Sequence, residues 1–378
     1  TVSLPASAFS SDRRHFLFFE GVGAYATVWV NGKLVGRHDG GLTTFTFDVT
    51  DALHRDGSPN LIAVRADHPL GIRDLPWVNG GSERAYGFSE GSQPFGIHRP
   101  VRLVSTHALR VEPFGVHVFA DRESLSEKSA VVHARTEIRN HGDAPANFQV
   151  VAKLRNADGR LIAKATTDAS LAPGAARTIE QSFPRIHEPQ LWSPADPHLY
   201  TLTTELVSNG SILDRVDTVT GFRTIEWRGA DPASTDGRFF INGEPFLING
   251  TAEYEHLLGQ SHAFSDEQIR ARVRQIQAAG FNAFRDAHHP HNLRYADYWQ
   301  REGVLWWPQF GTHIWFDNEK FRTTFKARLR DWIKERRNNP AAVLWGLQNE
   351  SRLPAAFAAE CVAIIREMDP NATIERKI

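Results

Sequence analysis

The stretch that most constrains this chain is Ala341-Ala-Val-Leu-Trp-Gly-Leu-Gln348, an apolar run of strand length that stops abruptly at Asn349-Glu350. A near-continuous hydrophobic run is how a strand buried on both faces reads, and such strands belong to parallel sheets covered by helices. Segments of helical period flank it. Phe321, Phe325, Leu329, Trp332 and Ile333 stripe the one before, and Phe357, Cys361, Ile364, Ile365 and Met368 the one after.

The same alternation runs back to about residue 238. Phe240 to Asn249 reads as a hairpin followed by a strand. Ser265 with Gln268 three residues on is a capping box, and Ile269, Val273 and Ile276 continue it at helical spacing up to Gly280. Asn282 to Arg285 is strand-like, Leu293 to Arg301 helical, and Val304 to Pro308 again a strand. Thr373 to Ile378 has the composition to begin one more strand. Four βα units and the start of a fifth, roughly 30–40 residues apart, imply parallel strands joined by helical crossovers. In a (β/α)8 barrel the chemistry sits past the C-terminal ends of such strands. Glu350 is therefore the catalytic candidate, with Asn349 beside it.

The residues before this region read as β structure. His15 to Glu20, Ala26 to Val30 and Lys33 to His38 are strand formers, and Asn31-Gly32 between the last two is a hairpin signal because both turn residues need positive φ. Thr43 to Val49 alternates with period two, and Leu61 to Arg65 and Arg99 to Val104 are further strands. Between them, about thirty residues from His68 to His98 form a loop long enough to suggest function. Strands at this spacing predict a sandwich or jelly roll over residues 1–107. A second set, about seven strands over 108–227, fits an immunoglobulin-like sandwich. Residues 228–378 then hold the barrel units.

Composition sets wider limits. Of 378 residues 41% are hydrophobic and 23% charged, ordinary for a globular protein of two or three domains. A net charge of −1 offers no nucleic-acid or membrane surface. No apolar run approaches the ~18 residues of a membrane helix. The single cysteine, Cys361, excludes an intrachain disulfide and leaves the redox compartment undecided.

Three groups of residues carry a resemblance to glycoside hydrolase family 2, the β-galactosidases, β-glucuronidases and their relatives. Phe18-Phe-Glu-Gly-Val22, Val28-Trp-Val-Asn-Gly32, Gly36 to Gly41 and Gly96-Ile-His-Arg-Pro-Val101 resemble its sugar-binding jelly roll. Asn282 to Pro290 with Gly303 to Trp307 resembles its first barrel signature, and Trp345-Gly-Leu-Gln-Asn-Glu350 its acid/base signature. The resemblance implies a retaining exo-β-glycosidase, most like a β-galactosidase, acting on an oligosaccharide or glycoside. The near rival is a β-glucuronidase. The alternative from another class is a non-catalytic carbohydrate-binding protein. The family tends to be oligomeric, bacterial and secreted; that favours a secreted or periplasmic location over a cytoplasmic one. It sometimes uses a cation, but the residues here support no cofactor. Three departures mark a divergent subgroup. His289 stands where a tyrosine is usual, Pro308-Gln309 where an Asp-Glu pair is usual, and Ala252 and Tyr254 where Asn-x-His is usual.

Retaining glycosidases use two carboxylic acids about 5 Å apart, one an acid/base and one a nucleophile. The resemblance makes Glu350 the acid/base; the bland alternative is a surface carboxylate at a strand end. It assigns Asn349 to the sugar 2-hydroxyl, against a helix N-cap. Arg285 and His288 close the second barrel strand, where Arg285 could orient carboxylates and the bland reading is a structural ion pair. His256 and His313 are placed to meet sugar or a metal, or are simply satisfied polar residues. Trp306, Trp307 and Trp345 lie in strands and are expected in the core. Trp315 lies past a strand end and is the subsite candidate. The nucleophile should follow the seventh strand, about ninety residues beyond Glu350. The chain is thus expected to be an internal fragment with the first half of the barrel, inactive by itself.

Overall fold

The computed structural model describes residues 1–69, 71–77, 95–228, 235–255, 263–312, 315–351 and 353–374. His256 and His313, and residues 78–94 of the long loop, lie outside the described residues.

The first domain is two facing antiparallel sheets. Arg13–Phe19 pairs with Phe45–Asp48 and Val101–His107, and Tyr25–Val30 pairs with Lys33–Asp39 and Ile62–Asp67. Leu17, Phe19, Ala26, Val28 and Val30, at alternating strand positions, meet between them. Asn31 and Gly32 both take positive φ, 51° and 80°, as the hairpin requires.

The second domain is a sandwich of a three-stranded and a four-stranded sheet. Val132–Asn140 lies between Leu109–Ala120 and Ala176–Ser182; Ala146–Arg155 and Tyr200–Ser208 are central in the other. Trp192, fully buried, leaves this domain to pack in the barrel, where its indole Nε1 donates to Gln300 O at 2.8 Å. Arg223 likewise donates to Pro340 O at 2.5 Å and to Ala342 O, fastening the sandwich to the foot of the fourth barrel strand.

In the barrel region the first strand, Gly250–Tyr254, the second, Ala283–Ala287, and the start of the third, Leu305–Trp307, pair in parallel. The helices are α1 (Asp266–Ala278), α2 (Leu293–Glu302), α3 (Glu319–Arg336) and α4 (Ala355–Met368). The capping box at Ser265 and Gln268 forms as its sequence requires. The apolar stripes of α3 and α4 bury Phe321, Phe325, Leu329, Trp332, Phe357 and Cys361 in one core.

The expected eight-residue fourth strand is shorter. It appears as a bridge between Ala342 and Trp306 and then as Gly346–Gln348, paired with Gln309–Thr312. Pro308 is the reason. It accepts from Gly346 N at 3.0 Å but has no N–H to return, so the ladder breaks there and the third strand runs in two pieces. Trp345 bridges in parallel to Ile374, the start of a fifth strand.

Candidate active site

The C-terminal ends of the first four barrel strands bring Tyr254, Arg285, His288, Gln309 and Asn349 together. Strand alternation puts Arg285 and Asp286 on opposite faces of the second strand. Arg285 crosses to the fourth strand, where its Nη2 donates to Asn349 Oδ1 at 2.9 Å. Its guanidinium carbon lies 4.4 Å from the ring centre of Trp307. That stacking fixes the plane of the fork. Arg285 thereby selects the oxygen end of the Asn349 amide. The N-cap alternative for Asn349 is not what forms, because α4 is capped at Pro354 without a side-chain bond.

His288 Nδ1 lies 2.8 Å from Gln309 Oε1, and Gln309 Nε2 donates to Gln348 O at 3.2 Å. The second bond fixes which end of the Gln309 amide faces His288. An oxygen opposite Nδ1 requires the imidazole to carry its proton there. Gln309 is fully buried, so it supplies geometry without the charge an acid would bring. The Tyr254 ring meets that of His288 edge-on, 5.5 Å between centres.

Glu350 follows Asn349 and is exposed. Its φ is 45°, in the left-handed region that non-glycine residues seldom occupy. The turn breaks the strand's alternation at that residue, and Gln348 Oε1 braces the next segment by accepting from Ser351 Oγ at 3.1 Å and Leu353 N at 3.2 Å. A non-glycine residue held in this region at a strand end is the kind of local strain found at functional sites. An apolar cavity of about 310 Å³ lies along the strands, lined by Ala252, Phe284, Arg285, Trp307 and Leu344 among others.

Trp315 is placed elsewhere. Its ring packs on Phe357 at 4.8 Å and edge-on to Phe321 at 5.5 Å, joining the core of α3 and α4. Trp307, expected in the core, lines the cavity with Arg285, as do Trp227 and Trp306. Trp306 and Trp345 are buried as expected.

Sequence reasoning gave Gln309 no site role, although its position on the third strand beside the His288 signature was the available signal. It passed over Asp286 entirely. This carboxyl is fully buried, accepts from Trp306 Nε1 at 2.8 Å, and lies 3.6 Å from His291 Nδ1. Burial pushes its pKa up to about 7. Glu255, following the first strand, is also buried and meets Arg99 of the first domain at 2.9 Å; burial raises its pKa and the guanidinium opposes that rise. Among the described residues no group of three His, Cys, Asp or Glu side chains could hold a metal ion. No helix among them is long and apolar enough to cross a membrane.

Comparison with known proteins finds matches along most of the chain. Residues 1–74 match the glycosyl hydrolase 2 galactose-binding domain-like model, 116–223 the model of glycosyl hydrolases family 2, and 233–376 that family's TIM barrel domain. A β-glucuronidase of Bacteroides fragilis is 29% identical over 95% of this chain and 51% of its own length. A β-galactosidase of Thermoanaerobacter pseudethanolicus is 28% identical over 94% of this chain and 45% of its own. A solved structure of a Bacteroides uniformis β-glucuronidase superposes with a TM-score of 0.87 at 23% identity, covering 99% of this chain and 45% of that one. The chain spans about half the length of the curated relatives it matches. Three domains in the family's order, with the Asn349-Glu350 pair at the end of the fourth barrel strand, place the chain in glycoside hydrolase family 2.

Proposed function

We propose that the protein is a retaining exo-β-glycosidase that removes terminal β-linked sugars, with galactosides the leading substrates. The observation that carries this is the Arg285–Asn349 hydrogen bond beside Glu350 at the end of the fourth strand. Arg285 takes the amide oxygen, so Asn349 meets a sugar 2-hydroxyl as a donor, and that bond strengthens as the oxocarbenium-like state forms. Glu350 protonates the departing glycosidic oxygen and then takes a proton from water in the second half-reaction. The nucleophile is a second carboxylate supplied from the rest of a full-length barrel. His288, held by Gln309, offers a polar contact at the end of the second strand.

β-Glucuronides are the second reading, favoured by the curated β-glucuronidase relative at 29% identity. A panel of aryl β-glycosides, hydrolysed by full-length protein and by its Glu350→Gln variant, tests both. Activity on one sugar that falls about 10²–10⁴-fold in the variant is expected. Absence of hydrolysis with sugar binding retained would overturn the enzymatic reading in favour of a binding protein.

A further inference from the structure

Two ion pairs lie buried where the first domain meets the barrel. In Arg99–Glu255 the side chains are 2% and 0% exposed, and in Arg336–Glu335 they are 0% and 2% exposed. Both pairs grip the same two backbone segments. Arg99 Nη1 donates to Leu42 O at 3.1 Å in the first domain, and its Nη2 to Pro290 O at 2.9 Å in the barrel. On the other side Arg336 Nη2 donates to His291 O at 3.1 Å, while Glu335 Oε1 accepts from Thr44 N at 2.6 Å. Glu255 also accepts from the backbone N–H of Asn292, which caps α2. The segment so clamped, residues 287–292, holds His288 and begins two residues after Arg285.

Pairs this deep recover little net stability, because desolvating both charges costs as much as their attraction returns. What they do supply is a fixed geometry, five hydrogen bonds to backbone atoms of segments 42–44 and 290–292 in addition to the two ion pairs. We propose that Arg99 is a positioning residue of the barrel site, through which the first domain sets the loop after the second strand and with it His288 and Arg285. The inference rests on the glycosidase reading of that site.

Lysine at 99 keeps the charge opposite Glu255, but one ammonium cannot span Leu42, Glu255 and Pro290 in the fork's geometry. In full-length protein, Arg99→Lys is expected to lower kcat about tenfold, and Arg99→Met about 10²-fold, with KM within about twofold of wild type. Amide exchange over residues 287–292 should rise in Arg99→Lys while α1 and the first-domain strands keep their protection. If Arg99→Met does not fold, the lysine variant decides. An Arg99→Lys enzyme with wild-type kcat, or with wild-type protection of 287–292, overturns the proposal. If the wild type itself hydrolyses no glycoside, the reading of the site fails. The exchange measurement then still decides the role of Arg99, since unchanged protection would refute it.

Discussion

At Asn349 one hydrogen bond decides which end of an amide a substrate meets. Because Arg285 takes Oδ1, Asn349→Ala should cost about 10²-fold in kcat on an ordinary glycoside but far less on the 2-deoxy analogue, whose missing hydroxyl already removes the partner. Equal losses on both substrates would show that Asn349 acts by packing alone. Asp286 carries a prediction in pH. Its pKa stands at about 7 in the fold against an ordinary 3.8, because burial disfavours the charge. The folded state therefore binds its proton more tightly than the unfolded chain. The stability this contributes is complete below about pH 4 and is lost as pH rises to about 7. Asp286→Asn keeps an acceptor for Trp306 Nε1 and abolishes the titration. The stability of wild type relative to this variant, read from melting, should fall across that window and then level, a change of order a few kcal/mol. A constant difference from pH 4 to 8 would contradict the assignment, with Arg336, Glu255 and His291 as the charged or titratable neighbours to test next.

Among the elements, the third and fourth strands set the site, and Gly311 sets how closely they approach the second. Its φ is 68°, and a Cβ built there would lie 1.8 Å from His288 O and 2.3 Å from the carbonyl carbon. Gly311→Ala must displace the His288 loop or the strand, costing about 1–3 kcal/mol or more of stability and at least about 10²-fold in kcat; a variant with wild-type melting and turnover would refute that close contact. Most elements were legible because their signals are local. The Asn31-Gly32 turn, the Ser265–Gln268 capping box and the α3 and α4 stripes each lie within a few residues. Ser265→Ala should accordingly lower stability by about 1 kcal/mol without touching turnover, read as a melting shift at constant kcat. The short fourth strand was not legible in its own residues, because the missing hydrogen bond belongs to Pro308 on its neighbour. The packing of Trp315 was hidden for a related reason: its position past a strand end suggested solvent, while Phe321 and Phe357, on two later helices, supply the core it packs against.

At the scale of the whole molecule, domain order was readable and the bonds between domains were not. Arg99 and Glu255 stand 156 residues apart, and no periodicity links them. Glu350 stood out as a candidate from its place after an apolar run together with the family signature, whereas buried Asp286, inside a strand, had no pattern of its own. Since the chain spans about half of its curated relatives, we propose that these 378 residues alone give no turnover, and that Glu350-dependent hydrolysis by them in isolation would sink that view. The most direct test of the account uses full-length protein with Glu350→Ala and a β-glycoside bearing a highly activated leaving group. Such a leaving group departs without an acid, so the glycosyl-enzyme should form and then stall for want of a base. Azide, which needs no base, should restore turnover and give the β-glycosyl azide, with configuration retained. An α-glycosyl azide would make Glu350 the nucleophile, and wild-type hydrolysis in the variant would remove it from the chemistry altogether.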